Sequence, residues 1–362
     1  MGLTLTVTDR HRRPPRMPVS VAVALFWVSC AVEANGPAEE HPDGGPAATG
    51  LMEACVEELE PKGTTLVVLP DTQYYACGYP DIFRSQIEWI AGAVIPRRVA
   101  LVVHTGDIVD SAGSREQWEV ASDSLHQLDY TVPYLLTTGN HDISRDRSSL
   151  AAEYFPPDRC VRGPSIGFDP DQPQNSFMIA EFDQAQWLVI GLEYAPRDVV
   201  LAWAGDVLQQ HSDLPAIVFT HAYLYSDGSR YDRSIEPQQM HHPDNSGLAT
   251  DAGVSDGQDI WNKLVEPHTN VKIVLSEHMR PDGTARAVSR RSDGSIVHEI
   301  LANYQYCKVC PCPEVQGGAG YLRLMQYDAA AERFDVSTYS PYLDEWLTDE
   351  ENRFSIELSE HI

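Results

Sequence analysis

From Thr64 onward the chain alternates short apolar runs with longer stretches in which apolar residues recur at helical spacing. The runs at 64–69, 99–103, 133–137, 216–219 and 271–275 predict buried strands. Amphipathic stretches at 82–94, 115–128, 199–210 and 259–265 predict helices between them. This alternation marks an α/β sheet with helical crossovers. Residues 176–182 and 186–192, joined by Asp183-Gln184-Ala185, predict a hairpin. A second strand-rich region covers 285–291, 296–303, 321–327 and 334–339, with turns at Asp293-Gly294 and 328–332. No internal repeat and no break in composition divides residues 63–345, so 63–362 reads as one domain.

The pattern is different before residue 63. Residues 35–62 are rich in Pro, Gly, Ala and Glu and read as a flexible linker, with room for a short helix at 52–59. Residues 1–34 read as an export signal. Arg10, Arg12, Arg13 and Arg16 precede the apolar run 19–28, which is too short to span a bilayer, and small residues follow it. Two processing routes are open: cleavage after Ala34, or lipidation of Cys30, where Trp27 departs from the usual lipobox. Either route places the protein outside the cytoplasm, in a periplasm, on a cell surface or in the medium.

Seven cysteines become six once Cys30 is removed or lipidated, an even number suited to disulfides in an oxidising compartment. Cys307-x-x-Cys310-Pro-Cys312 lacks a second cysteine pair at zinc-knuckle spacing and reads better as a pinned loop than as half a zinc site. A net charge of -27 excludes broad binding of nucleic-acid backbones. It suits cation capture, as well as a merely soluble, self-repelling surface.

The chemistry-bearing residues fall at the strand ends. Each of the first five predicted strands is followed by a metal-capable side chain: Asp71 and Gln73, Asp107, Asn140, His221 and His278. In open α/β sheets ligands gather at the carboxyl ends of strands, so these loops should converge. A single strand-end Asp is more often a helix cap; five such positions in order are not explained that way.

GDIVD (106–110) and GNHD (139–142), with the strand-end Asp and the two later His, resemble the calcineurin-like metallophosphoesterase family. The family pattern is D-x-H, G-D-x-x-D, G-N-H-[DE], a single His and G-H-x-H. The stretches DTQYY (71–75) and GYLRL (320–324) resemble a bacterial branch with Gln after the first Asp. The resemblance implies a four-layer α/β/β/α sandwich with two mixed sheets, two divalent metal ions and a small phosphoester substrate. It implies that Asp107 bridges the metals, that Asp71 holds the first, and that Asn140, His221 and His278 hold the second. His141 becomes the general acid or an electrostatic clamp near the leaving group, with Asp142 orienting it. A bridging carboxylate keeps two cations ~4 Å apart, where they activate a shared water. Amide and imidazole ligands suit Mn, Fe or Zn better than Ca.

Three positions depart from the pattern. Gln73 replaces a His, so the first metal is left with Asp71, Asp107 and an amide oxygen. Arg280 replaces the last His and cannot ligate a cation, but can grip a substrate phosphate. Glu277 replaces a Gly, implying strain, a shifted loop or a supplementary carboxylate. The implied activity is metal-dependent hydrolysis of phosphate mono- or diesters; the rival is a non-catalytic metal- or phosphate-binding protein on the same fold. His104 reads as a buried structural histidine. The polar segment 223–258, with His241, offers room for substrate contact, and Tyr74, Tyr75 and Tyr304 could line the pocket or simply pack.

Overall fold

In β1 (Thr64–Leu69) all six residues are buried, and alternate side chains enter two different cores. Leu66 and Val68 pack into one cluster, Val67 and Leu69 into another on the opposite face. A strand covered on both faces has no reason to alternate apolar with polar residues, which is why such strands read as unbroken apolar runs. The computed structural model describes residues 63–156, 159, 166–169, 171–248, 253–279, 283–305 and 317–358.

After β1 the chain forms α1 (Gln73–Gly78), α2 (Pro80–Ala93), β2 (Val99–His104), α3 (Arg115–Leu125), β3 (Tyr134–Leu136) and α4 (Ala151–Tyr154). There follow β4 (Ile166–Gly167), β5 (Ser176–Phe182), β6 (Ala185–Leu192), α5 (Asp198–Gln210), β7 (Ala216–Thr220) and α6 (Gly257–Ile260), which continues as a π-helical turn, Trp261–Val265. The remainder is strand: β8 (Val271–Ser276), β9 (Thr284–Arg290), β10 (Ile296–Ala302), β11 (Leu322–Asp328), β12 (Arg333–Ser340), β13 (Glu345–Leu347) and β14 (Phe354–Glu357).

Among the described residues these strands make two seven-stranded mixed sheets. The first has the order β13-β12-β11-β1-β2-β3, with β14 on β12; the second has the order β4-β5-β6-β7-β8-β10-β9. β1, β2 and β3 run parallel, as do β6, β7, β8 and β10. Side chains from both sheets share a central core in which Trp187 lies edge-on to Tyr327 and Phe334, with centroids 5.4 and 5.2 Å away. α2 and α3 cover the outer face of the first sheet, while α5, α6 and the π-turn cover that of the second. The expected four-layer α/β/β/α sandwich is the fold.

Local chemistry fixes the element ends. Pro80 opens α2, where its missing N–H costs nothing. Ser114 caps α3 through its hydroxyl, and Asp256 and Asp259 form a capping box on α6. The hairpin loop is one residue shorter than expected, because Ala185 pairs with Phe182. Asp183 and Gln184 take left-handed φ of 48° and 70°, as a two-residue twisted turn requires. α1, α4, β4, β13 and β14 escape sequence reading because they are too short to show a period.

Residues 1–62, which carry the expected signal, Cys30 and linker, lie outside the described residues, as do Cys160, Cys307, Cys310 and Cys312. Cys77 is described, and it is an exposed free thiol on α1, against the expectation that all six downstream cysteines pair. Among the described residues no helix is long and apolar enough to cross a membrane.

Candidate metal centre

Parallel strands point their carboxyl ends the same way, and this gathers the polar residues. Asp71, Asp107 and Asn140 follow β1, β2 and β3; His221 and His278 follow β7 and β8. Backbone bonds sew the loops together: Thr105 N–H to Leu69 (3.1 Å), Thr72 N–H to Asp107 (3.0 Å) and Glu277 N–H to His221 (2.8 Å). Two glycines permit the closest approach. Gly106 has φ 105°, and a Cβ there would lie 2.6 Å from the Gly139 nitrogen; a Cβ on Gly139 would collide with Asp107 Oδ1. Asp107 and His278 themselves hold left-handed φ of 47° and 80°, a strained conformation for residues other than glycine.

Asp107, His221 and His278 present donor atoms within 4.8 Å of one another. His221 Nε2 lies 2.9 Å from His278 Nδ1, 3.0 Å from Asn140 Oδ1 and 3.4 Å from Asp107 Oδ2. Hydrogen bonding elsewhere decides which of these atoms carry protons. His221 Nδ1 faces the Thr105 carbonyl (3.2 Å) and Glu277 Oε1 (3.1 Å), both acceptors, so its proton sits there. His278 Nε2 donates to the His241 carbonyl at 2.8 Å, leaving Nδ1 as a lone pair. Four electron pairs therefore converge where no protein hydrogen is demanded, the environment of a cation.

Charge leads to the same conclusion. Asp71, Asp107 and Glu277 are all at most 5% exposed and lie in one cluster. Burial, with Asp107 and Glu277 beside it, holds the Asp71 carboxyl well above its usual range. Burial alone would lower the His221 imidazole, but the Asp107 and Glu277 carboxylates hold it well above its ordinary pKa. The buried carboxylates thus draw positive charge to this place, which a metal ion would supply. Desolvation, and then His221 itself, hold the His278 imidazole below its ordinary value.

Asp71, Gln73, Asp107, Asn140, His141, His241, His278 and Gln305 line a cavity of ≈ 50 Å³. That space admits more than one water- or ion-sized occupant. Gln73 is 1% exposed, and its Oε1 has no hydrogen-bond partner, as expected of an amide oxygen reserved for a cation. The residues present thus fit a metal at the imidazole-rich position, and Asp71 and Gln73 line the same cavity.

The geometry alters several roles. Asp142 does not orient His141: its Oδ1 accepts Val109 N–H (2.9 Å) and its Oδ2 accepts Gly139 N–H (2.8 Å). A buried carboxylate takes the nearest orphan donors, so Asp142 clamps the GDIVD and GNHD loops together. His141 is held by Asp110 instead, with Nδ1 2.9 Å from its carbonyl and 3.6 Å from its carboxylate. Glu277 is the supplementary carboxylate: it accepts from the Asp71 backbone and from His221, joining the two sides of the site. Arg280 lies outside the described residues.

His104 is structural, as expected. It is buried, accepts Gly106 N–H at 3.2 Å and meets Thr72 Oγ1 at 3.0 Å, and burial pushes its pKa down to about 3. Tyr75 and Tyr304 are buried, and their hydroxyls bond to Gly320 N–H and to Thr338 and Asn352, so they pack rather than line the cavity. Sequence reasoning missed Tyr194, whose ring stands 5.5 Å from His221 and 5.6 Å from His278, and it missed Gln305. Both follow strands parallel to those that deliver the histidines, β6 and β10, and that position was the available signal.

A double-sheet sandwich that collects carboxylate, amide and imidazole lone pairs at its strand ends is the framework of a metallophosphoesterase. The chain belongs to the calcineurin-like phosphoesterase family, whose model matches residues 64–279. It is 33% identical over 287 residues to the uncharacterized protein YvnB of Bacillus subtilis (strain 168), covering 77% of this chain and 20% of that one. The chain therefore spans about a fifth of that relative's length. Among solved structures it is similar to purple acid phosphatase PPD1 from yellow lupin (Lupinus luteus) seeds, at 13% identity and TM-score 0.44, over 82% of this chain and 54% of that one. It is also similar to GAP50, the anchor in the inner membrane complex of Plasmodium, at 11% identity and TM-score 0.42, over 82% and 89% of the two chains.

Proposed function

We propose that the protein hydrolyses small phosphate mono- or diesters with the help of two divalent metal ions of the Mn, Fe or Zn type. The observation that carries this reading is the convergence of Asp107 Oδ2, Asn140 Oδ1 and His278 Nδ1 on His221 Nε2. When bound, divalent cations supply an acidified water as nucleophile and neutralise charge on the phosphoryl oxygens. Asp107 belongs to the imidazole-rich group and also lines the cavity with Asp71 and Gln73, which supports a role toward both ions. Its Oδ1 also accepts the His141 N–H at 2.9 Å, fixing the proton donor relative to the metals. With Nδ1 engaged by Asp110, His141 Nε2 is the atom available to protonate a leaving-group oxygen.

The test is a screen of nucleotides, phosphodiesters and phospholipid head groups with added Mn, Zn or Fe, run beside His141→Ala. The variant should keep its metal and lose about 10²- to 10⁴-fold in turnover, most on poor leaving groups. Metal binding without turnover of any phosphoester would favour the rival, a non-catalytic binding protein. Export is proposed on the basic-then-apolar order of residues 10–28, and the N-terminal residue of the mature protein tests it.

A further inference from the structure

The family match ends at residue 279, but the cavity wall does not. β10 runs parallel to β8, and its carboxyl end delivers Gln305 to the same cavity as Asp71, Gln73 and Asp107. Gln305 is only 3% exposed, and its amide nitrogen has no hydrogen-bond partner. Its backbone N–H donates to Asn303 Oδ1 at 2.8 Å, which fixes the chain where the side chain departs.

A buried NH₂ without an acceptor is costly, on the scale of a lost hydrogen bond, and native proteins rarely tolerate one without a ligand to satisfy it. The group can only donate, so it cannot hold a cation. The same cavity holds an orphan of opposite kind, Gln73 Oε1, which can only accept. One small space with an unused acceptor and an unused donor suits a cation beside Gln73 and an anionic oxygen beside Gln305. A phosphoryl group drawn to that cation brings such an oxygen.

We infer that Gln305 is a substrate-binding residue whose side-chain N–H₂ donates to a non-bridging phosphoryl oxygen. This rests on the phosphoesterase reading of the site. The competing account is a lone structural water that accepts from Gln305 and donates to Gln73.

The experiment uses the full chain loaded with Mn and inorganic phosphate as the probe, with phosphate affinity by calorimetry and metal content read on each variant. Gln305→Ala should weaken phosphate binding by roughly tenfold, the worth of one hydrogen bond to a charged group, with the Mn content of wild type. Gln305→Glu should weaken it further, because a carboxylate would then face the anion. Gln305→Asn withdraws the donor by one methylene with little change in packing. It should reproduce the loss at an unchanged melting temperature, which serves if the other variants do not fold. Wild-type phosphate affinity in Gln305→Ala or Gln305→Asn overturns the inference, and so does loss of Mn in step with phosphate. If wild type still hydrolyses phosphoesters in that event, the function stands and only the role of Gln305 falls. A wild-type protein that holds Mn but neither binds phosphate nor hydrolyses any phosphoester would overturn both.

Discussion

The two sides of the cavity are built to different standards of rigidity. On the imidazole side three of the four ligand groups are held by a second bond: Thr105 and Glu277 fix His221, the His241 carbonyl fixes His278, and the His141 backbone N–H fixes Asp107. On the other side Asp71 Oδ1 is drawn toward the Gln73 backbone N–H, while Gln73 Oε1 and Gln305 Nε2 have no partners at all. Ligands oriented in advance bind metal tightly because little ordering remains to be done on binding. Amides left unpaired bind more weakly but leave room for substrate. Under the proposed function this contrast would divide the labour, with one ion held tightly and the place beside Asp71 and Gln73 shared between a looser ion and the phosphoryl group.

Asp107→Asn should break the contrast altogether, since that carboxylate serves both sides. Metal content should fall at both places, and turnover by on the order of 10³-fold, the rate equivalent of several kcal/mol of lost charge stabilisation. Retention of wild-type rates on an unactivated phosphoester would exclude Asp107 from the centre.

Glu277→Gln tests whether the rigid side owes its strength to its supports. Removing the charge behind His221 should weaken the tighter metal by about 10- to 100-fold, read by chelator competition. A change confined to the weaker metal would invert the comparison.

A pH titration sharpens it further. The Asp107 and Glu277 carboxylates raise the folded-state pKa of His221, so the imidazole keeps a second proton to higher pH than a free histidine does, and metal must displace it. Affinity at the tighter place should therefore rise by about tenfold per pH unit through neutrality, with about one proton released per ion bound. A flat profile would mean that His221 is already deprotonated or does not face the ion.

The smallest effect is expected from Gln73→His, which offers the loose side an imidazole. The weaker metal should tighten by roughly fivefold, about 1 kcal/mol, drawing the two chelator midpoints together. An unchanged midpoint would show that residue 73 does not reach the ion.

Much of this protein was legible in one dimension. The buried strands announced themselves because a strand covered on both faces must be apolar throughout, and β1, β2, β7 and β8 fall within a residue of their expected ends. Asp71, Asp107, Asn140, His221 and His278 were legible for a related reason. A polar side chain at the end of a buried strand is conspicuous, and parallel pairing sends such ends to one side of a sheet. What the sequence did not determine was who touches whom. Asp142 lies next to His141 in the chain, yet its oxygens go to Val109 and Gly139, while the His141 ring goes to Asp110. Glu277 reaches Asp71 across 206 residues and His221 across 56. Hydrogen bonds of buried groups are chosen by proximity among loops that only the packing of two sheets brings together. For the same reason Gln305, an ordinary strand-end amide in the sequence, became part of the site only when β10 was laid beside β8.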